Sequence, residues 1–122
     1  KDALVQKFSA LGITDLGTHG SDSVDYPDFG AALAKRVASG EFDRGILICG
    51  SGIGISIAAN KIKGIRAALC HNAYTAEMAR RHNDANIIAM GGRVVDEATA
   101  TAMTELFLNT EFEGGRHARR VE

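Results

Sequence analysis

The sequence predicts an α/β protein with a parallel sheet covered by helices on both faces. Short apolar runs alternate along the chain with longer segments whose apolar residues recur at helical spacing. The run Gly-Ile-Leu-Ile-Cys at residues 45–49 is apolar throughout, which is typical of a strand buried on both faces. A length of 122 residues suits one domain, so we expect a single domain over residues 1–122.

The first part of the chain is predicted to contain two helices and one strand. Residues 1–11 carry apolar side chains on one helical face, and residues 13–16 form a short apolar strand candidate. Residues 18–24 are rich in Gly, Ser, Asp and His, which indicates a loop. Pro27 suits the first turn of a second helix, and Gly40 suits its end.

The rest of the chain continues the alternation. Strand 45–49 is followed by a glycine-rich turn and by a helix that runs to about Lys61. The further predicted elements are a strand at 65–70, a helix at 73–81, a strand at 86–90 and a helix at 95–108. Helical connections between parallel strands are expected to cross over with the right hand.

Composition excludes several classes of protein. Fourteen Lys and Arg against 15 Asp and Glu give a formal charge of −1, so there is no basic excess for nucleic acid or an anionic membrane. The apolar runs are far shorter than the roughly 20 residues that a spanning helix needs. Two cysteines do not make a disulfide framework, and they favour the reducing cytoplasm.

The turn at residues 49–54, Cys-Gly-Ser-Gly-Ile-Gly, is a candidate anion cradle. Glycines let the backbone approach an anion, and the helix that follows offers free N–H groups. The spacing is not that of a dinucleotide fingerprint, and no acidic residue follows the next strand at Cys70-His71. Taken alone, the turn fits tight strand-to-helix packing equally well.

Cys49 ends a predicted strand just before a helix N-terminus, where the helix dipole favours a thiolate. A thiolate there could act as a base or as a nucleophile. The alternative is a small buried apolar residue, which is the commoner role of cysteine. Cys70 ends another strand without a glycine cradle, and we assign it to the core.

No metal or redox centre is predicted. His19, His71 and His117 do not have metal-ligand spacing with one another or with the cysteines. A thiol redox protein is disfavoured because the chain has no Cys-x-x-Cys pair.

Polar residues near the ends of predicted elements are candidates for substrate contacts. His82 and Asn83 end a helix and could contact a sugar oxygen or move a proton, or they could simply cap that helix. Arg93 follows a strand, so it is either a ligand contact or an exposed cation. Arg116 and Arg120 are four residues apart and would share one helical face. Two guanidinium groups suit a phosphate, although a solvated basic tail is equally compatible.

Together these residues resemble the ribose-5-phosphate isomerase B family and the related galactose-6-phosphate isomerase subunits. The resemblance runs along the whole chain, and its central stretch is highly specific. It is carried by Asp25-Tyr-Pro27, by residues 45–61 (GILICGSGIGISIAANK), by His82-Asn83, by Gly91-Gly-Arg93 and by residues 113–121 (EGGRHARRV).

The resemblance implies a Rossmann-like three-layer α/β/α sandwich with a five-stranded parallel sheet. It implies interconversion of ribose 5-phosphate and ribulose 5-phosphate through an enediolate, in the pentose phosphate pathway, with no metal or organic cofactor. The expected partners are a small sugar phosphate and further copies of the chain, in a homodimer or homotetramer with shared active sites. Neither nucleic acid nor a membrane is an expected partner.

The family's functional residues can be carried over position by position. Cys49 matches the catalytic base, His82 the proton donor in ring opening, and Ser51 an assisting hydroxyl. The expected substrate-binding residues are Gly50, Ser51, Gly52, Ile53 and Gly54 of the anion hole, Asn83 at a sugar hydroxyl, and Arg93, Arg116 and Arg120 as cationic contacts. Ile55 stands where members without the cysteine have a glutamate base, so the chain resembles the cysteine type.

The sequence departs from the family at both ends. Family members open with a strand that ends in an Asp-His pair, and this sequence starts at the following Lys1. It also lacks the family's segment beyond Glu122. We expect the biological chain to be longer. A non-catalytic phosphosugar-binding module remains the alternative, since it would keep the cradle and the arginines without needing the thiol. The choice between five-carbon and six-carbon sugar phosphates also stays open.

Overall fold

The computed structural model describes residue 4 and residues 26–121. Helices and strands alternate there in the predicted order. They are α1 (Tyr26–Ala38), β1 (Gly45–Cys49), α2 (Ile53–Asn60), β2 (Ala67–Leu69), α3 (Ala73–Arg81), β3 (Ile87–Gly91), α4 (Glu97–Asn109), a 3₁₀ turn (Gly115–His117) and α5 (Ala118–Val121). The predicted helix 1–11, strand 13–16 and loop 18–24 lie outside the described residues, except that Leu4 is buried in the core.

Two asparagine side chains explain why β2 begins later than predicted. The Asn86 side chain accepts a bond from the Arg66 N–H at 2.9 Å and donates to the Gly64 carbonyl at 2.9 Å. The Asn60 side chain accepts a hydrogen bond from the Ala67 N–H at 2.8 Å and donates one to the Ala67 carbonyl at 2.9 Å. The polar backbone at the amino end of β2 is therefore satisfied in part by side chains, whereas the Asn86 and Ile87 N–H groups at the start of β3 donate to the Arg66 carbonyl.

The three described strands form one parallel sheet in the order β1-β3-β2. Gly45 pairs with Ile87 at the amino end of β1, and Cys49 pairs with Gly91 at its carboxyl end. β2 pairs with the other side of β3, beginning at Ala67 opposite Ile87. β3 is consequently the inner strand of the three, and all five of its residues are buried.

Helices cover the sheet on both faces and create two hydrophobic cores. α1 and α2 pack on one face, and α3 and α4 pack on the other. Along β3, Ile87 and Ala89 point into the first core, while Ile88 and Met90 point into the second, as strand geometry requires. This arrangement confirms the predicted three-layer, Rossmann-like α/β/α sandwich with a parallel sheet.

Local capping fixes where the helices begin. Asn72 and Thr75 form a capping box at the start of α3, with the Thr75 N–H donating to the Asn72 side chain at 2.8 Å. Asp96 accepts from the Thr99 N–H at 2.7 Å at the start of α4, and the Thr99 side chain together with this N–H lowers the pKa of the Asp96 carboxyl. Within residues 26–121, no helix is both long enough and apolar enough to cross a membrane.

Candidate active site

The turn that follows β1 holds the Cys49 thiol against the start of α2. The Gly52 N–H donates to the Cys49 Sγ at 3.2 Å. Gly52 is also the N-cap of α2 and has a left-handed backbone (φ 82°), which glycine adopts without strain. The sulfur therefore lies half-buried at the N-terminus of α2, as the sequence predicted.

The turn lies so close to β3 that glycine is required on both sides. A Cβ on Gly52 would lie 2.6 Å from Leu69 Cδ1 and 2.9 Å from the Met90 carbonyl carbon. A Cβ on Gly91 would lie 2.7 Å from the backbone of Ser51. Tight strand-to-turn packing, the alternative reading of these glycines, is therefore real. It coexists with an exposed outer side of the turn at Ser51 and Ile53.

Ser51 and Gly54 occupy different surroundings in this turn. The Ser51 hydroxyl oxygen accepts a bond from the Ile53 N–H at 3.2 Å, so the hydroxyl can still donate its proton. Gly54 lies in the first turn of α2 and is partly exposed. One hydroxyl and several helix-terminal N–H groups thus meet on a solvent-facing surface, which suits an anion.

Arg93 lies over the same turn. Its N–H donates to the Gly50 carbonyl at 3.1 Å, and the adjacent Gly92 N–H donates to the Cys49 carbonyl at 2.7 Å. Its guanidinium Nη1 lies 3.6 Å from the point that a Cβ on Gly50 would occupy. The structure therefore brings a cation to the predicted cradle, beside the thiol.

A second cluster forms where α3 ends. The His82 ring stacks on the His117 ring with centroids 4.2 Å apart and planes 15° from parallel. The Glu113 carboxylate lies 3.7 Å from His117 Nε2 and 3.4 Å from Arg81 Nη1. The Glu113 N–H also donates to the Arg81 carbonyl at 3.0 Å. The segment after α4 is thereby fastened to the end of α3.

The environment of His117 disfavours a positive charge. Its side chain is buried, and desolvation lowers the pKa of the imidazole. The nearby His82 and Arg116 lower this pKa further, and they outweigh the opposite effect of Glu113. His117 is thus suited to be the uncharged member of the stack.

The remaining predicted contacts are exposed and lie on the same side of the fold as His82. Asn83 follows His82 directly, Arg116 lies in the 3₁₀ turn, and Arg120 lies in α5. Arg116 and Arg120 therefore sit on consecutive short helical turns rather than on one regular helix. Their side chains are available to a ligand from solvent.

The two clusters lie at opposite edges of the sheet. Cys49 and Arg93 follow the carboxyl ends of β1 and β3. His82 is at the amino edge, because Asp84 beside it bonds Arg66, which precedes β2. A five-residue strand separates the edges by about 13 Å at roughly 3.3 Å per residue. Within one chain, the structure does not bring the predicted base and the predicted ring-opening donor together.

His82, Glu113 and His117 are the described residues whose ligand atoms come close enough to consider for a metal, all within 4.8 Å. Two nearly parallel rings do not aim their nitrogen lone pairs at one point, as a zinc site requires. Arg81 and the neighbouring Arg116 also oppose a cation there. The geometry fits a stacked and ion-paired cluster better than a metal centre.

Sequence reasoning missed Glu113 and treated His117 only as a non-ligand. The available signal was their i, i+4 spacing, which places Glu113 and His117 within reach on a helical turn. The stack of His82 on His117 had no such signal, because 35 residues separate the two in sequence.

Comparisons with known proteins agree with this fold. The ribose/galactose isomerase family matches residues 1–122. Ribose-5-phosphate isomerase B of Escherichia coli is 50% identical over 110 residues, which are 90% of this chain and 74% of that protein. D-erythrulose-4-phosphate isomerase of Pectobacterium atrosepticum is 48% identical over 97 residues, 80% of this chain and 64% of that protein.

A solved structure extends the likeness to three dimensions. Ribose-5-phosphate isomerase B of Clostridium thermocellum has a TM-score of 0.95 and 56% identity, covering 98% of this chain and 82% of that one. These likenesses define an isomerase of the intramolecular oxidoreductase class. The chain belongs to the ribose/galactose isomerase family.

Proposed function

We propose that this chain interconverts ribose 5-phosphate and ribulose 5-phosphate, with Cys49 as the base and His82 as the proton donor in ring opening. The observation that carries the proposal is the Cys49 Sγ, which accepts the Gly52 N–H at the start of α2, with the Arg93 guanidinium near the adjacent Gly50. A thiol, helix-terminal donors and a guanidinium together suit removal of a proton next to a carbonyl.

The reaction begins with a ring-closed aldose. His82 donates a proton to the ring oxygen while the bond from that oxygen to C1 breaks, and the C1 hydroxyl passes its proton to solvent water to leave an aldehyde. Asn83 follows His82 and is exposed, so its amide can bond a sugar hydroxyl. Arg116 and Arg120 flank the same edge and suit the phosphate.

Proton transfer follows in the open-chain sugar. The Cys49 thiolate takes the proton from C2, and the electron pair moves to form the enediolate, whose charge rests on oxygen. The Ser51 hydroxyl and Arg93 are the donors that remain available to this oxygen, because the Gly52 N–H is bonded to the Cys49 Sγ and the Ile53 N–H to the Ser51 hydroxyl oxygen. The hydroxyl proton on O2 moves to O1, and the thiol returns its proton to C1 to give the ketose.

Two copies of the chain are needed to assemble this site, because Cys49 and His82 lie at opposite edges of the sheet. A homodimer would bring Cys49 of one subunit to His82 of the partner subunit. Exposed apolar side chains flank the Cys49 turn and support a protein partner there: Ile53 and Ile57 are 53% and 55% exposed, and Val94 is 56% exposed. A tetramer would be built from such dimers.

The decisive experiment separates proton transfer from ring opening. Ribulose 5-phosphate cannot form a furanose ring, because its O5 carries the phosphate. Exchange of its C1 proton with D₂O therefore needs the base but not the ring-opening donor. We expect the wild-type protein to catalyse both this exchange and conversion of ribose 5-phosphate. Cys49→Ala should lose both, and His82→Ala should retain the exchange while losing most conversion.

Cys70→Ala is the matched control, because it removes the other cysteine from a buried site in the core. It should retain both activities. Wild-type protein that neither converts ribose 5-phosphate nor exchanges ribulose 5-phosphate would contradict the proposal. Full exchange by Cys49→Ala would refute the assignment of the base.

The relative named for D-erythrulose 4-phosphate supports a four-carbon ketose phosphate as a second candidate substrate. The same cradle would accept either sugar, because the chemistry at C1 and C2 is the same. Specificity constants for both sugar phosphates, measured side by side, decide between them. A higher value for the four-carbon sugar would change the substrate and leave the roles of Cys49 and the cradle intact.

A further inference from the structure

The turn that carries His82 and Asn83 contains a backbone conformation that is uncommon outside glycine. Asp84 has φ 48°, and it is the one non-glycine residue with positive φ among those described. Aspartate tolerates this left-handed region better than most residues, but the surroundings must still hold it there. Asp84 directly follows the two residues proposed to contact the sugar.

Two arginines hold Asp84 from opposite sides. Arg80 Nη1 donates to Asp84 Oδ1 at 2.9 Å and to the Ala85 carbonyl at 2.7 Å. Arg66, just before β2, donates through Nε to the Asp84 carbonyl at 2.9 Å and through Nη2 to Asp84 Oδ2 at 3.3 Å. The carboxylate is therefore shared between a helix and the amino end of a strand.

Arg80 also reaches the segment that carries His117. Arg80 is 5% exposed, and its Nε donates to the Thr110 carbonyl at 3.0 Å. Arg80 thus fixes both the turn after α3 and the segment after α4. Asp84 is the carboxylate that accompanies this buried cation, and a buried cation without such a partner is costly.

From these contacts we propose that Asp84 is a positioning residue, which sets the location of His82 and Asn83 through its bonds to Arg80 and Arg66. The inference rests on the proposed function, because it assigns Asp84 to the ring-opening step. It does not touch the substrate. Its loss should therefore impair the step that uses His82 and leave the chemistry at Cys49 intact.

The test uses Asp84→Gly, which permits the same backbone conformation and removes the carboxylate. We expect conversion of ribose 5-phosphate to fall by about 10-fold to 100-fold, as expected for misplacement of a catalytic group by about 1 Å. At saturating ribulose 5-phosphate, where a weaker Asn83 contact does not limit the rate, the C1 proton exchange should stay within about 2-fold of wild type, because that step does not need His82. Asp84→Asn, which keeps one acceptor oxygen, should recover part of the conversion.

Arg66→Gln gives a second route if Asp84→Gly folds poorly, since Arg66 is half-exposed and the buried Arg80 keeps its partner. The matched control is Glu41→Ala, which removes a carboxylate from the exposed pair between Arg36 in the last turn of α1 and Glu41 just after that helix. The control should leave both activities as in wild type. A parallel fall of conversion and exchange in Asp84→Gly and Arg66→Gln, or no fall in either, would overturn the positioning role.

A spectroscopic readout keeps the inference testable even if the proposed function fails. The stacked rings of His82 and His117 shift each other's imidazole proton resonances. Asp84→Gly should move these resonances toward unstacked values, and Glu41→Ala should not. Unmoved resonances would contradict the positioning role whatever the enzyme's substrate. Absence of ribulose 5-phosphate exchange in wild type would instead refute the proposed function alone.

Discussion

His82 and His117 face each other as a stacked pair, with ring centroids 4.2 Å apart. Two imidazolium groups at this distance would repel strongly, so the stack favours a single proton at most. Burial lowers the pKa of His117 and makes it the member that stays neutral. The ring that lies nearer to solvent, His82, is then the one that a ligand can reach.

Stability should depend on pH through His117. Its pKa is lower in the folded chain than in the unfolded chain, so the unfolded chain binds the proton first as the pH falls through about 6.5. The free energy of unfolding should then decrease until the pH reaches the depressed pKa of the folded state. We expect urea denaturation between about pH 7.5 and pH 5 to give a smaller loss in His117→Gln than in wild type.

His71→Gln serves as the control for the loss of a histidine, because His71 is exposed at the carboxyl end of β2. An equal change of slope in His71→Gln would contradict the assignment to His117. The lowered pKa values of the Asp96 and Glu41 carboxyls, which come from hydrogen bonds to Thr99 and Arg36, affect stability at more acidic pH and do not overlap this window.

Mixing two inactive variants should restore activity if the site is shared between subunits. A heterodimer of Cys49→Ala and His82→Ala has one site with both changes and one site with neither. Random exchange of subunits should therefore recover about a quarter of the wild-type conversion of ribose 5-phosphate. Ribose 5-phosphate assays before and after co-refolding measure this. No recovery in a mixture that demonstrably contains heterodimers would mean that both groups come from one subunit.

A methyl group on Gly91 should push the turn after β1 away from the sheet. Its Cβ would lie 2.7 Å from the Ser51 backbone, which cannot move as a side chain could. We expect Gly91→Ala to lose about 1–3 kcal/mol of unfolding free energy and most of the activity. Gly92→Ala is the neighbouring control, because its Cβ would meet ordinary contacts at 3.7 and 3.8 Å. Equal destabilisation of both variants in chemical denaturation would contradict the close approach.

Alkylation should distinguish the two cysteines. Cys49 is half-buried, whereas Cys70 is 1% exposed and burial raises the pKa of its thiol. We expect iodoacetamide to modify Cys49 first, with activity lost in proportion, as followed by peptide mass spectrometry. The Cys70→Ala variant should be inactivated at the wild-type rate. Modification of Cys70 ahead of Cys49 in the native protein would be the contrary result.

Between residues 26 and 109, sequence periodicity was sufficient to predict the strands and helices, because buried strands and amphipathic helices leave clear patterns. The 3₁₀ turn and α5 that follow were not predicted. β1 and α3 agree with prediction to the residue. The starts of β2 and β3 were wrong by two residues and by one residue. At the start of β2, side chains of Asn60 and Asn86 bond the backbone in place of ladder bonds. Such long-range side-chain contacts have no local signature.

The candidate site was predictable only where it is formed by neighbouring residues in the sequence. The turn after Cys49 is a local feature, and its run of glycines in the sequence was enough to predict a tight turn directly before a helix. The cluster of His82, Glu113 and His117 depends on how the segment after α4 returns to the end of α3. The distance between Cys49 and His82 depends on which edge of the sheet each residue reaches, and therefore on the topology of the chain. Spacing along the chain carries no information on it.

The order of the strands also matters while the protein is being made. β1 and β2 are each paired with β3, which comes last of the three along the chain. During synthesis, β1 and β2 cannot form their pairs with β3 until residues 87–91 have been made. Until then their apolar edges are open to chaperones or to other chains. The newly made polypeptide is therefore most exposed to aggregation shortly before its inner strand appears.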